Sequence, residues 1–489
     1  MAKKLSTFDY STLVRYMLPD GILDYFEITK IDEEVTNEKD ETGTVIRILH
    51  IYLDERDLRD KVWHDLQPNG FTEPRLFNDF PQREHKVLLH VRRRRWLDGN
   101  GHNVVLETLP LVAEGTCYSV EFADFLKKWL DTYPVTAQCV GRFFRTDGKY
   151  LGRAYKEHLS GFPDWDQKEH AGEWVLQEKN MGDRLCIDET MLHHDLITFL
   201  SNRDGHCKKG TLIAAVKGTT VADVTKHFDE IQEESRKKVK EVSMDFSDSM
   251  MGIVKKSFPN AEIVIDHFHV IQLYTTRGLD AMRMKLKRAN TTEVKREERE
   301  FRKQQEKRAK ARARYAETHE AKKSKNGKRI GRPPKRKNEK FEPKKLSNGE
   351  TKADLLTHVR YPLTKNYNDW TDFQKEEMRL LFEIEPKMKA AYGLLCALRN
   401  IFSKKKDRKS AKKALHKWYK NVGRTRIREI ISVRDTIKGK EEYVLNFFNN
   451  RSTNAPAESL NSKIKGLRAQ VHGVSDLPFF MFRCFTIFG

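Results

Sequence analysis

Cysteine is scarce in this sequence, and no two cysteines form a C-x-x-C pair. The six residues are far apart along 489 positions, so neither a framework of disulfides nor an obvious zinc site is indicated. We expect reduced cysteines that serve as small core residues. Cysteine usage therefore favours a cytoplasmic protein.

Long apolar runs are also missing. No stretch approaches the roughly 20 residues that a membrane-spanning helix needs. The N-terminus has no long apolar segment of the kind found in secretion signals. We therefore expect no membrane partner.

Acidic residues are outnumbered by basic ones, with 71 Asp and Glu against 92 Lys and Arg. The resulting net charge of +21 favours a polyanionic partner, with nucleic acid ahead of an anionic membrane. From charge alone, a basic protein that is merely soluble is the alternative. Hydrophobic residues make up 38% of the chain, which is enough for real cores and, at this length, for several domains.

Residues 1–115 are predicted to be a β-rich region with a basic hairpin. Three stretches have the pattern of strands, at 23–29, 44–52 and 86–92. The polar span 33–42 suits a loop, and the last strand leads into four adjacent arginines at 92–95. Arg93 and Arg94 are candidates for phosphate contact, although the run could also be a solvated hairpin edge.

Residues 116–178 are predicted to bind DNA. An amphipathic helix starts near Tyr118, and two short helices follow at 135–144 and 148–159 around a Gly-containing turn. Two short helices around such a turn fit a helix-turn-helix, with a simple helical hairpin as the alternative. In a helix-turn-helix the second helix enters the major groove. The side chains that it would offer to DNA are Lys149, Arg153 and Lys156.

Residues 179–289 have the most regular α/β pattern. The predicted strands lie at 185–188, 194–200, 211–216, 240–245 and 262–266. The predicted helices lie at 220–234, 248–258 and 270–288. Three strands, a helix, a strand, a helix and a strand describe a mixed α/β sheet. This is also the element order of the ribonuclease-H-like fold.

Residues 290–450 are basic and mostly helical. The segment 293–319 is predicted to be a solvent-exposed helix, and 322–345 a disordered linker. Within the linker, a Gly-Arg-Pro core flanked by Lys and Arg resembles an AT-hook, which would lay Arg332 into a narrow minor groove. A plain charged linker is the alternative. Further helices are predicted at 369–402 and 411–420.

Two aspartates are predicted to end strands of the α/β region. Asp188 follows Leu-Cys-Ile, and Asp245 follows Val-Ser-Met. If these strands are adjacent and parallel, the two carboxylates lie side by side, and a bound Mg²⁺ is the usual compensation for such a pair. Asp266, at the end of the next strand, is a rival metal ligand. Glu189 is expected to point to the opposite face of its strand.

Two histidines follow Asp266. His267 and His269 alternate along the chain and are predicted to share one strand face. A zinc site would need further ligands that the sequence does not place. We expect instead that one of the two histidines positions DNA or orients a carboxylate.

Three segments, 242–248, 258–270 and 454–468, resemble the catalytic core of bacterial insertion-sequence transposases of the DDE type. The resemblance implies an α/β ribonuclease-H-like catalytic domain, made of 179–289 and 451–489 and interrupted by the helical insertion. By position, the catalytic residues are then Asp188, Asp245 and Glu458.

The resemblance also implies a mechanism and partners. The three acids would hold two Mg²⁺ or Mn²⁺ ions, and the enzyme would cut the terminal inverted repeats of its element and join the freed 3′-OH to target DNA. The partner is then double-stranded DNA, and a homodimer or higher oligomer pairs the two ends. Lys463 and Lys465 are further candidates for DNA contact, and the protein is expected at the bacterial nucleoid in the cytoplasm.

Two alternatives stay open. One is a metal-dependent ribonuclease-H-like nuclease without strand transfer, and the other is a catalytically inactive DNA-binding relative. The chain also departs from the family that it resembles, in which a zinc ribbon often follows the arginine-rich strand. Here the corresponding residues 92–101 contain no cysteine, so we expect no structural zinc.

Overall fold

The computed structural model describes residues 10–40, 43–59, 65–106, 109–192, 194–318, 340–471 and 476–489. The chain divides into two compact units. Unit 1 comprises Met1–Val242, Asp248–Ala261 and Asn454–Gly489. Unit 2 comprises Ser243–Ser247 and Glu262–Thr453.

The strands, in chain order, are β1 (Phe26–Lys39), β2 (Val45–Glu55), β3 (Gln67–Phe71), β4 (Arg75–Gln82), β5 (His85–Arg92), β6 (Arg94–Leu97), β7 (Asn103–Val105), β8 (Trp174–Leu176), β9 (Arg184–Leu192), β10 (Asp195–Asn202), β11 (Leu212–Lys217), β12 (Glu241–Met244) and β13 (Glu262–Ile265). The helices are α1 (Tyr10–Arg15), α2 (Ile22–Tyr25), α3 (Val120–Thr132), α4 (Ala137–Phe143), α5 (Gly148–Ala154), α6 (Val221–Phe228), α7 (Glu233–Lys238), α8 (Asp248–Ser257), α9 (His267–Leu273), α10 (Ala281–Thr318), α11 (Lys352–His358), α12 (Asp372–Ile384), α13 (Pro386–Lys404), α14 (Arg408–Thr425), α15 (Arg428–Gly439), α16 (Glu441–Leu445), α17 (Phe447–Asn450), α18 (Ala455–Gln470) and α19 (Leu477–Phe488). Among the helices in the described part of the chain, none combines the length and apolar character needed to cross a bilayer.

The N-terminal part of unit 1 contains a four-stranded sheet in the order β1-β2-β5-β4. Strands β2 and β5 are parallel, and the other pairs are antiparallel. The predicted loop at 33–42 is wrong, because β1 continues to Lys39. Charged cross-strand pairs stabilise this polar half of β1 against β2, as in the 3.1 Å contact between Glu33 and Arg47. Strands β3, β6 and β7 form a separate three-stranded sheet, and β3 precedes β4 and β5 in the chain.

Helices α3, α4 and α5 pack around a shared core that includes Phe122. Thr136 and Asp147 cap the N-termini of α4 and α5. The two helices approach so closely that a Cβ atom on Gly148 would lie 2.5 Å from the Cα atom of Gln138. Position 148 therefore requires glycine, because any larger residue would clash with α4. The prediction of two short helices around a tight turn is confirmed.

The large sheet of unit 1 contains the antiparallel series β9-β10-β11-β8. Strand β12 lies on the other side of β9. The backbone N–H groups of Lys240 and Glu241 both donate to the carbonyl of Asp183, at 2.8 and 3.1 Å. Because β9 and β12 both begin at this point, they run in the same direction.

The predicted strands of this region are confirmed, with two differences. Strand β9 continues to Leu192, so Asp188 lies in its middle and not at its end. The polar residues beyond Asp188 stay in the strand because they pair with β10, where Glu189 lies opposite Thr198. Strand β8 was not predicted, since three residues are too few to show alternation.

The last two helices of the chain belong to unit 1. They share an apolar cluster with the sheet, formed among others by Phe199, Leu212, Leu460, Ile464 and Phe485. The backbone N–H of Thr211 also donates to the carbonyl of Phe488 at 2.8 Å. These contacts fix α18 and α19 against the sheet.

Unit 2 is mostly helical, with β13 beside the Ser243–Met244 end of β12. The predicted exposed helix is confirmed as the second half of α10, which reaches Thr318. The predicted helical stretch 369–402 is two helices, because Pro386 opens α13 and lacks the N–H that a helix interior needs.

Candidate active site

Asp188 is half-buried on β9, and both of its carboxylate oxygens accept hydrogen bonds. The backbone N–H of Glu189 donates to Oδ1 at 2.8 Å, and the side-chain Nδ2 of Asn461 donates to Oδ2 at 2.6 Å. Asn461 is 4% exposed and belongs to α18. This contact connects the late helix to the strand that carries the first predicted acid.

Glu458 lies in the first turn of α18 and is exposed. It precedes Asn461 by three residues, so the two side chains lie on neighbouring parts of the helix surface. The buried face of α18, which includes Leu460 and Ile464, packs into the cluster under the sheet. Because that face is fixed, Glu458 lies along the edge of the helix that carries Asn461.

Asn461 was not predicted as a functional residue. The signal available in the sequence was its position one turn after Glu458, within the segment that carries the family resemblance. That signal is weak without the docking of the helix, because asparagine on a helix surface is common.

In unit 2, Asp245 directly follows β12. Its Oδ1 lies 2.8 Å from Nε2 of His269, which is on α9. One of the two histidines therefore contacts a predicted catalytic carboxylate, in agreement with the expectation. The predicted strand face is wrong, because α9 begins at His267, and two residues along a helix are turned by roughly 200°.

Asp266 is 3% exposed and has a structural role in unit 2. Its side chain accepts a hydrogen bond from the backbone N–H of Phe268 at 2.9 Å and so caps α9. Its own N–H donates to the carbonyl of Met244 at 3.1 Å. A buried cap accounts for this carboxylate, which makes Asp266 a weaker candidate ligand than Asp245.

The predicted recognition side chains on α5 are divided by their contacts. Lys149 and Arg153 are exposed and lie one helical turn apart. Lys156, in the turn that follows, is half-buried and forms a 2.5 Å ion pair with Asp476. Lys149 and Arg153 therefore stay candidates for DNA contact, whereas Lys156 is engaged by Asp476.

The two predicted arginines of the basic run make contacts within unit 1. The guanidinium of Arg93 lies 3.6 Å from Glu55 and donates to backbone carbonyls of the segment after β7. Arg94 donates to the carbonyl of Glu55 at 2.7 Å and lies over the ring of Phe71. These contacts stabilise the hairpin, and phosphate binding by Arg93 and Arg94 stays a prediction.

The remaining candidates are two lysines of α18 and Arg332. Lys463 is exposed and donates to the carbonyl of Cys207 at 3.0 Å. Lys465 is exposed and lies two turns after Glu458, on the same edge of the helix. Arg332 lies outside the residues that the structure describes.

A family model for transposases, of the DDE type and ISL3 group, matches residues 185–332 and 333–484. These segments cover more than half of the chain and include all three predicted catalytic acids. The chain belongs to this transposase family. The part of the transposase that precedes the match contains the N-terminal sheets and helices α3 to α5.

Two curated relatives carry the same designation. The chain is 28% identical, over 286 residues, to the transposase for insertion sequence element IS1557 of Mycobacterium tuberculosis. The aligned region covers 58% of this chain and 54% of that protein. The chain is 26% identical, over 219 residues, to the transposase for insertion sequence element IS1001 of Bordetella parapertussis, covering 44% and 49%. The matches thus span about half the length of each relative.

Proposed function

We propose that this protein binds the terminal inverted repeats of its own element and catalyses metal-dependent DNA cleavage and strand transfer. The observation that carries this proposal is the 2.6 Å hydrogen bond between Asn461 and Asp188. It attaches the helix of Glu458 to the strand of Asp188, although the two lie far apart in the sequence. Membership of the transposase family supports the same function.

The catalytic fold that we propose is ribonuclease-H-like. Support comes from the antiparallel series β9, β10 and β11, followed by a helix and by β12, which runs in the direction of β9. This is the element order expected from the family resemblance. In the proposed domain organisation, residues 1–115 and 116–178 precede a catalytic core of 179–289 and 451–489, with 290–450 as the insertion.

We assign two divalent ions, Mg²⁺ or Mn²⁺, to Asp188, Asp245 and Glu458. The backbone N–H of Lys240 donates to the carbonyl of Asp183 where β9 and β12 begin. Asp188 lies five residues after Asp183, and Asp245 lies five residues after Lys240. The residues matched by the family model include all three acids, which supports a common ligand role. Carboxylate oxygens are the ligand type that Mg²⁺ prefers.

The roles of the individual side chains follow from their contacts. Bound ions of this kind stabilise the attacking and leaving oxygens of an in-line phosphodiester displacement. Asn461 holds the carboxylate of Asp188 by a hydrogen bond, and His269 lies 2.8 Å from the carboxylate of Asp245 and contacts it as a charge partner. Glu458, exposed on its helix edge, is open to DNA and ions from solvent.

DNA end binding is assigned to α4 and α5 as a helix-turn-helix, with α5 in the major groove. The net charge of +21 supports a large electrostatic contribution to this binding. Because two ends must be cut and joined to one target, we propose a homodimer or higher oligomer on DNA.

A cleavage and joining assay tests the proposed function. Purified full-length protein is incubated with labelled terminal-repeat DNA, a supercoiled target plasmid and Mg²⁺. We expect nicked ends and end–plasmid joints, both abolished by a chelator. Cleavage without joints would favour a nuclease, and repeat binding without cleavage would favour an inactive DNA-binding relative.

Replacing Lys149 and Arg153 together by alanine is expected to weaken repeat binding by about tenfold at physiological salt, because two phosphate or base contacts are lost. The slope of log affinity against log salt concentration should fall by about 2 in magnitude. Fluorescence anisotropy with labelled repeat DNA across a salt series measures both quantities.

The matched control is the Lys387→Ala, Lys389→Ala pair on α13, which removes the same charge from exposed positions. If both double variants lose affinity equally, the effect comes from net charge and the helix-turn-helix assignment is wrong. Unchanged affinity of the Lys149, Arg153 pair would also remove it.

A further inference from the structure

Three potential metal ligands lie together in unit 2, and none of them is one of the acids described above. Glu350, His358 and Glu377 each offer one ligand atom, and the three atoms lie within 4.8 Å of one another. Glu350 precedes Thr351, the N-cap of α11, while His358 ends that helix and Glu377 lies in the middle of α12. We propose that these side chains bind a divalent transition-metal ion, such as Zn²⁺, that joins α11 to α12.

The distances within the group fit the ligands of one ion. Nδ1 of His358 lies 3.1 Å from Oε1 of Glu377 and 3.4 Å from Oε1 of Glu350. Zinc binds nitrogen and carboxylate oxygen at about 2.0–2.2 Å, so two ligands of a tetrahedral ion lie about 3.3 Å apart. Both observed distances are close to this edge length.

The buried carboxylate provides a second, independent observation. The side chain of Glu377 is 2% exposed, and its Oε1 accepts no hydrogen bond from the residues that the structure describes. Nδ1 of His358 lies 3.1 Å from this oxygen, but the two atoms do not have the geometry of a hydrogen bond. A metal ion bound between the two groups would accept a lone pair from each of them.

A cation would also remove an energetic cost at this position. A buried carboxylate oxygen that accepts no hydrogen bond destabilises the folded state. Glu377 is buried, and a carboxylate oxygen of Glu350 lies within 4.8 Å of its own, so two acidic groups share this position. A divalent ion between the two carboxylates would favour their ionised forms.

The backbone and the neighbouring side chains hold the ligands in place. Thr351 and Asp354 form a capping box that fixes the start of α11 immediately after Glu350. Asn348 donates to Oε2 of Glu350 at 3.2 Å, while Oε1 of the same carboxylate faces His358. Such an outer contact orients a ligating carboxylate in metal sites.

The ligand set distinguishes this group from the proposed catalytic acids. One imidazole with two carboxylates suits Zn²⁺, whereas Mg²⁺ prefers oxygen ligands throughout. Three protein ligands leave the fourth position of a tetrahedral ion to water. The ion would act as a clamp within the helical part of unit 2, and its binding does not depend on the proposed DNA chemistry.

Zinc titration of the full-length protein tests the site. The Asp188→Asn, Asp245→Asn variant removes two of the proposed catalytic ligands, and it is stripped with a chelator and titrated with Zn²⁺ by calorimetry. We expect one tightly bound Zn²⁺ per chain and a zinc-dependent rise in melting temperature. Adding His358→Ala or Glu377→Gln should weaken this binding by at least about 100-fold and abolish the rise.

The matched control is His416→Ala, which removes an exposed histidine that pairs with Glu441 at 2.9 Å, and it should leave zinc binding unchanged. Glu377→Gln keeps the shape of the buried side chain, and circular dichroism in chelator shows whether each variant is folded. The proposal is overturned if the parent binds no Zn²⁺, or if folded His358→Ala and Glu377→Gln variants bind it as the parent does. A loss of stability in the variants, with no effect of zinc on the parent, would identify an ion pair instead.

Discussion

Replacing Asp245 by asparagine is expected to lower the rate of DNA nicking by about 10³-fold or more, while affinity for the terminal repeats stays within a factor of about two. The amide has nearly the same shape and can still contact His269, but it removes the negative charge that binds a divalent ion. A loss of about 4 kcal/mol in transition-state stabilisation corresponds to that factor. Single-turnover nicking of labelled repeat DNA in Mg²⁺ measures it.

Two control variants make this experiment specific. Asp229→Asn removes an exposed carboxylate that pairs with Arg236 at 3.2 Å, and it should nick at the parental rate. Asp266→Asn should retain most of the activity, because asparagine is as good a helix cap as aspartate. If Asp266→Asn abolishes nicking and Asp245→Asn does not, the metal ligand is Asp266 and the assignment of Asp245 is wrong.

The order of strands and helices in the α/β region could be predicted because short apolar runs alternate there with helical periodicity. Strands β10 to β13 and helix α8 lie within a few residues of the predicted positions. The end of β9 could not be predicted, because the polar residues after Asp188 are held by pairing with β10, and pairing is invisible in one sequence. For the same reason the polar half of β1 was predicted as a loop.

The candidate site was predictable only in part. Asp188 and Asp245 follow apolar runs, which is a local signal, and one of two histidines was expected either to position DNA or to orient a carboxylate. The docking of Glu458 was not predictable from local patterns, because α18 contacts β9 through residues that are 273 positions apart. The contacts of Arg93 were also hidden, since a run of arginines gives no sign of which guanidinium turns inward.

The docking of α18 leads to a second prediction with a large effect. Replacing Asn461 by alanine is expected to lower the nicking rate by about 10- to 100-fold, which is the usual effect of losing a side chain that orients a metal ligand. The reason is the loss of the 2.6 Å hydrogen bond to Oδ2 of Asp188, which leaves that carboxylate freer to turn away from the ion. Nicking measured across a Mg²⁺ series should show a midpoint shifted to higher concentration.

The Mg²⁺ series separates orientation of the ligand from simple loss of stability. Alanine is a better helix former than asparagine, so α18 itself should persist, and Ser462→Ala, at an exposed position of the same helix, serves as the control. If Asn461 only docks the helix, its removal lowers the melting temperature and the rate but leaves the Mg²⁺ midpoint unchanged. An Asn461→Ala variant with parental rate and midpoint would contradict the role proposed for this contact, and with it the main structural support for placing Glu458 beside Asp188.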